Sequence, residues 1–159
     1  MLDFTKFLRE AYALPQELTV SLRAHPKLRP RLLLVARNGT QWFTNVPVIV
    51  RAAEAMGFKA VLADMDLGNV GGFAEVVNWC DVIMGVHGVG LTNLVFLPTN
   101  VVAMQIASCC DLEGVAEHTY GPPGRDSGCS TCSTASAWTR AHCCSRSIIK
   151  AGSKWGRST

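Results

Sequence analysis

Short apolar runs alternate along this chain with segments of helical period. Residues 32–36 (LLLVA) are apolar without interruption, on both faces of an extended strand. Such a run suits a central parallel strand covered on two sides better than a strand with one face in water. Residues 58–65, 81–86 and 101–106 continue the pattern as second, third and fourth strands. Between the first two, Val46, Ile49, Val50, Ala53 and Met56 share one helical face, with Arg51 and Glu54 turned away. Asn45 stands near that helix start, Pro47 lies in its first turn, and Gly57 sits where a C-cap glycine belongs. Residues 71–80 form a further helix with Phe73, Val76, Val77 and Cys80 inward, and residues 91–97 a short helical turn. This alternation predicts right-handed βαβ units and an α/β fold: a Rossmann-like parallel sheet with flanking helices.

With 159 residues the chain has room for one domain with a real core. No apolar run approaches the roughly 20 residues that span a bilayer. The first fourteen residues carry charges throughout and lack the continuous apolar core of a signal peptide, so no targeting segment is legible. Phe4, Phe7, Leu8 and Ala11 instead fall on one helical face. The formal charge of +3 is unevenly spread. Residues 1–126 hold all 12 acidic residues and 10 of the 15 Lys and Arg, whereas nothing from Ser127 onward is acidic. That division sets a folded domain over 1–126 against an unstructured tail over 127–159. A nucleic-acid partner would rest on the net positive charge of that tail alone, with no basic-aromatic surface elsewhere to support it.

In open parallel sheets, ligands bind outside the carboxyl ends of the strands. Two marked loops stand at such ends: Arg37-Asn38-Gly39-Thr40 after the first strand, and His87-Gly88-Val89-Gly90 after the third. Gly88 and Gly90 permit positive φ and close approach of a ligand to the backbone. The turn that follows presents unpaired N–H groups to an anion, and Thr92 and Asn93 add side-chain donors. His87 and Arg37 would complete a diphosphate cradle. Taken singly, each residue also fits a plain structural role: His87 bonded to a carbonyl, the glycines in a tight turn, Thr92 and Asn93 as caps, Arg37 solvated. Known templates do not apply. The first strand is followed by Gly39 alone rather than G-x-G-x-x-G, although Asp64 ends the second strand where a ribose-binding acid would sit. No G-K-[ST] phosphate loop exists, and no G-x-S-x-G elbow accompanies the His-Gly loop.

The stretch CDVIMGVHGVGLTNLVFLPTNVVAMQI closely resembles the signature of plant glycosyltransferase family 61, in which a strand runs into G-V-H-G-A-G-L-T-N and then F-L-P. RPRLLLVARNGTQWFTNVPVIVRAAEAMGF and DLEGVAEHTYGPPGRD resemble the segments on either side, so residues 1 to about 126 are covered. The resemblance implies one half of a GT-B architecture. It also implies inverting transfer from a UDP-sugar, with no cofactor and no metal, and a Golgi membrane anchor in full-length relatives. Its acceptors would be xylan or glycoprotein glycans. Carried over by position, Arg37 would bind donor phosphate, Asn45 would support that loop, and His87, Gly88, Gly90, Thr92 and Asn93 would line the donor site. A general base is not named by the resemblance, because the acceptor-side domain is not included. Two departures stand out: Gln41 and Trp42 where relatives tend to carry another arginine, and Ala107-Ser108-Cys109-Cys110 in place of a hydrophobic-proline stretch.

Asn38-Gly39-Thr40 is also a glycosylation sequon, read here as an unmodified turn. In the tail, Cys129-x-x-Cys132 and His142-Cys143-Cys144 have poor spacing for a zinc knuckle and no apolar pattern to fold around it. Residues 128–144 instead match what an expected family continuation such as GLQYVQYSISVDESTLLQ yields when codons chosen for it are read one nucleotide out of frame. The alternative to a working transferase is therefore a truncated, catalytically inactive product that at most binds nucleotide. A generic nucleotide-binding module fits less well, since the His-Gly loop follows the third strand rather than the first.

Overall fold

A computed structural model of the chain describes residues 2–36, 41–64, 68–107, 112–126, 128–129, 131–136 and 151–153. The elements run α1 (Leu2–Ala11), β1 (Arg31–Ala36), β2 (Gln41–Phe43), α2 (Val46–Ala55), β3 (Lys59–Asp64), α3 (Val70–Asn78), β4 (Val82–Val86), a 3₁₀ segment (Val89–Phe96), β5 (Val102–Ala107), α4 (Leu112–Asp126), β6 (Thr131–Ser136) and β7 (Ala151–Ser153). The main sheet has five strands in the order β3-β1-β4-β5-β6, and every pairing in it is parallel. Leu32 lies opposite Ala60 on one side and Val82 on the other.

The uninterrupted apolar run of β1 has the expected cause. Leu33 and Val35 enter one core cluster with Phe73, Val77, Ile83, Leu91 and Ala103. Leu32 and Leu34 enter a second with Ile49, Ala53, Met84 and Ile106. Helices therefore cover both faces, which is why no polar residue interrupts the strand. Helix α2 begins at Asn45, whose backbone carbonyl accepts from Val48 and Ile49 N–H while its side chain makes no cap bond. It ends with Gly57 at φ +93°, the left-handed position foreseen for a C-cap glycine. Asn69 caps α3 by accepting from the Gly72 N–H at 2.9 Å.

The topology fixes where a ligand belongs. From β1 the chain crosses outward to β3, then returns to the other side of β1 for β4 and continues outward to β5 and β6. The direction of winding therefore reverses between β1 and β4. In doubly wound sheets that switch point opens a crevice at the carboxyl ends of the two strands.

Three features go beyond the sequence reading. Phe4 and Phe7 of α1 are exposed, at 50% and 61%, while Thr5 is buried and Leu8 packs against the core. The inward face is turned toward Thr5, Leu8 and Arg9, whose Nη1 donates to the Leu97 carbonyl at 3.0 Å. Residues 112–126 form a helix despite Pro122 and Pro123 within it. Finally, two short extended segments stand within the stretch 127–159. Thr131–Ser136 pairs with Val102–Ala107, and Ala151–Ser153 pairs antiparallel with Gln41–Phe43. Main-chain pairing along an open sheet edge needs no particular side-chain pattern. The rest of that stretch, apart from Gly128 and Cys129, lies outside the described residues.

Candidate functional site

Strand β4 delivers His87 to the switch point. The His87 N–H still donates to the Ile106 carbonyl at 2.8 Å, so the β4–β5 ladder runs into the loop before the chain turns. Gly88 makes that turn with φ 145° and ψ −172°, a region essentially closed to residues with a Cβ. Its carbonyl points inward and accepts twice, from the Leu91 N–H at 3.0 Å and from the Tyr120 hydroxyl at 2.7 Å. Among the described residues, the N–H groups of Gly88 and Gly90 meet no acceptor. Main-chain donors of this kind at the start of a helical segment are what an anion requires.

Gly90 serves a different purpose from the one read in the sequence. Its φ is not positive; a Cβ there would lie 3.3 Å from Val35 Cγ1 on β1. The missing side chain lets the loop pack directly on the neighbouring strand. Thr92 is exposed. Asn93 is turned inward, 9% exposed, with Nδ2 donating to the Gly90 carbonyl at 3.0 Å. It ties the first turn of the 3₁₀ segment to its own loop.

His87 is held by two residues that periodicity did not single out. Its Nδ1 lies 3.3 Å from Oε1 of Gln105 on β5, and its ring meets Tyr120 of α4 edge-on at 5.5 Å. Gln105 is 2% exposed, and its Nε2 donates to the Ala116 carbonyl at 2.8 Å. The sequence did carry a signal for Gln105, a polar residue inside the apolar run VVAMQI. For Tyr120 there was none. Arg37, at the end of β1, lies outside the described residues, as do the sequon Asn38-Gly39-Thr40 and Cys109 and Cys110. Asn45 is found at the head of α2, and the structure brings His87, Gly88, Gly90, Thr92 and Asn93 together on one loop.

The charged cluster at the other end of the sheet has a structural role. Arg31 opens β1 and Asp81 precedes β4, and the two form an ion pair at 2.8 Å. It lies at the amino ends of the strands, away from the crevice.

No family model matches the chain. Individual relatives do. Two alpha-1,3-arabinosyltransferases of Oryza sativa subsp. japonica are each 40% identical to it, over 129 and 124 residues, which are 80% and 77% of this chain and 22% of each relative. A beta-1,2-xylosyltransferase of the same plant is 42% identical over 127 residues, 79% of this chain and 27% of the relative. A xylan glycosyltransferase of Arabidopsis thaliana is 31% identical over 101 residues, 63% of this chain and 20% of the relative. The chain thus spans about a fifth to a quarter of the length of these curated relatives. Identity of this level over most of its length makes the chain a segment belonging to plant glycosyltransferase family 61, similar to the arabinosyl- and xylosyltransferases just described.

Proposed function

We propose that this segment is the donor-side part of an inverting GT-B glycosyltransferase. The enzyme takes a pentose or similar sugar from a UDP-sugar to xylan or a glycoprotein glycan. The observation that carries the reading is the position of the His87–Gly90 loop: it leaves β4 at the carboxyl end beside β1, where the winding reverses. The N–H groups of Gly88 and Gly90 suit the β-phosphate of the nucleotide. His87 stands beside it, Arg37 is assigned to the same phosphate from its place in the sequence after β1, Thr92 supplies an exposed hydroxyl in the next turn, and Asn45 and Asn93 hold the backbone around it. The relatives' names, arabinosyl- and xylosyltransferase, support a pentose donor. Catalysis then belongs to the cleft between this part and an acceptor-side domain, in a protein anchored in the Golgi membrane and facing its lumen. No helix among the described residues is long and apolar enough to cross a membrane.

A second reading is favoured by one observation, the absence of any acidic residue after Asp126. In it the chain is a truncated, inactive product that at most binds nucleotide. The first reading requires a nucleotide site. Thermal unfolding in the presence of UDP, ADP and GDP tests it: the midpoint is expected to rise with UDP more than with the purine nucleotides. A midpoint indifferent to all three would refute the first reading and leave the second.

A further inference from the structure

We infer that Gln105 is a positioning residue: it fixes His87 in the Nδ1–H form and makes Nε2 the ring atom offered to a ligand. The inference deepens the donor-site reading, and rests on it for the identity of that ligand. The argument begins from a group that can act in one sense only. The Ala116 carbonyl accepts and never donates, so the end of the Gln105 amide that meets it at 2.8 Å is the NH₂. The opposite end, Oε1, is therefore the acceptor facing His87 Nδ1 at 3.3 Å. Since Oε1 carries no proton, Nδ1 must supply one. Burial makes this orientation costly to reverse. Gln105 is 2% exposed, and flipping its amide would set a carbonyl against a carbonyl and an NH₂ against the ring nitrogen.

The ring also has an aromatic neighbour. Tyr120 stands edge-on to it at 5.5 Å, with its hydroxyl donating to the Gly88 carbonyl, the next residue in the chain. Nε2 has no partner among the described residues. Neutral His87 thus offers Nε2 as an acceptor for a hydroxyl of the nucleotide or sugar. On gaining a proton, the same atom becomes a donor to phosphate oxygen, and Nδ1–H stays on Gln105. One side-chain position serves both states, which a histidine bonded through a backbone N–H at Nδ1 could not provide.

Nitrogen-15 NMR of the histidine rings in the full chain, at pH 9 where ordinary imidazoles are neutral, tests this directly. The His87 signals are assigned by their loss in His87→Ala. The expected result is a protonated Nδ1 and a bare Nε2. Free histidine favours the opposite form, so an Nε2–H ring in the wild-type chain would overturn the inference without recourse to any variant. Gln105→Leu is expected to return His87 to the Nε2–H form. Gln105→Glu, which keeps an acceptor at that place, is expected to retain Nδ1–H; retention in the Leu variant would show that Gln105 does not set it. UDP added to the wild-type chain should move the Nε2 resonance more than Nδ1. An Nδ1–H ring that ignores UDP would support the positioning role and count against the donor site.

Discussion

Arg31 and Asp81 meet as a two-pronged pair across adjacent parallel strands, with Nε to Oδ2 and Nη2 to Oδ1 both at 2.8 Å. Asp81 also accepts from the backbone N–H of Arg31 at 2.9 Å and of Val20 at 3.2 Å. One carboxylate therefore joins the start of β1, the entry to β4 and the segment leading from α1. The guanidinium in turn lies 4.6 Å from the centre of the Trp79 ring. Removing either partner leaves the other partly buried and uncompensated. Asp81→Ala or Arg31→Met is expected to cost about 3 kcal/mol in urea unfolding, far more than an exposed pair would.

The same pair sets an acid limit on stability. Burial alone would raise the Asp81 pKa, but hydrogen bonds from the Arg31 side chain and from the Arg31 and Val20 N–H groups outweigh it and hold it below the ordinary value. A depressed carboxylate contributes stability above its unfolded value, about 4, and that contribution is lost as pH falls through the lower folded value. Unfolding free energy should therefore drop below about pH 4 in the wild type. In Asp81→Asn the drop should be shallower, starting from a less stable protein at neutral pH.

Cys80, one residue earlier, should be chemically silent. Burial, seconded by the negative charge of Asp81, pushes its thiol up to about 12. Thiolate is the reactive form, so Cys80 should resist alkylation at pH 8 in the native chain and react at once in denaturant. Peptide mass mapping after brief iodoacetamide exposure measures this.

Glycine substitutions should separate conformational need from convenience. Gly88→Ala forces a side chain into a glycine-only region and is expected to cost about 1–3 kcal/mol. At Gly114, in α4, φ is not positive and nothing lies within 4 Å of where a Cβ would project, so Gly114→Ala should stabilise by about 0.5–1 kcal/mol. Chemical denaturation of the two variants side by side gives the comparison.

Tyr120→Phe removes the hydroxyl that donates to the Gly88 carbonyl but keeps the ring beside His87. A stability loss of about 1 kcal/mol is expected, with UDP affinity falling as the loop loosens. Unchanged affinity would mean that the Gly88 turn is set by its neighbours alone.

Much of the fold was legible because β1 and β4 carry their burial in plain composition: LLLVA and VIMGV need apolar cover on both faces. The strand order was not, since it is settled by long-range pairing that leaves no local pattern. Helix α4 was hidden by Gly114, Gly121, Pro122 and Pro123, each a poor helix former that tertiary packing overrides. The inward face of α1 was not legible, because Phe4 and Phe7 outrank Thr5 in hydrophobicity, yet Thr5 is the buried residue. At the site, the glycine loop announced itself, while Tyr120 reaches His87 from 33 positions away and had no spacing to betray it.

We propose that the acid-free stretch reflects a change of reading frame near Ser127. The matched lengths of 124 to 129 residues in four relatives are close to the 126 that precede it. Sequencing the native transcript across codons 120–150 is expected to reveal a continuation like GLQYVQYS in the adjacent frame. Stop codons or unrelated sequence in that frame would rule the attribution out.

Nucleotide binding at the switch point is the central claim, and calorimetric titration of UDP into the full chain tests it most directly. The wild type is expected to bind one UDP saturably. His87→Ala and Arg37→Ala should each weaken binding tenfold or more, while Arg29→Ala, whose side chain bonds the carbonyls of Gly57 and Phe58 instead, should leave it unchanged. Equal affinity in the wild type and His87→Ala would contradict the account.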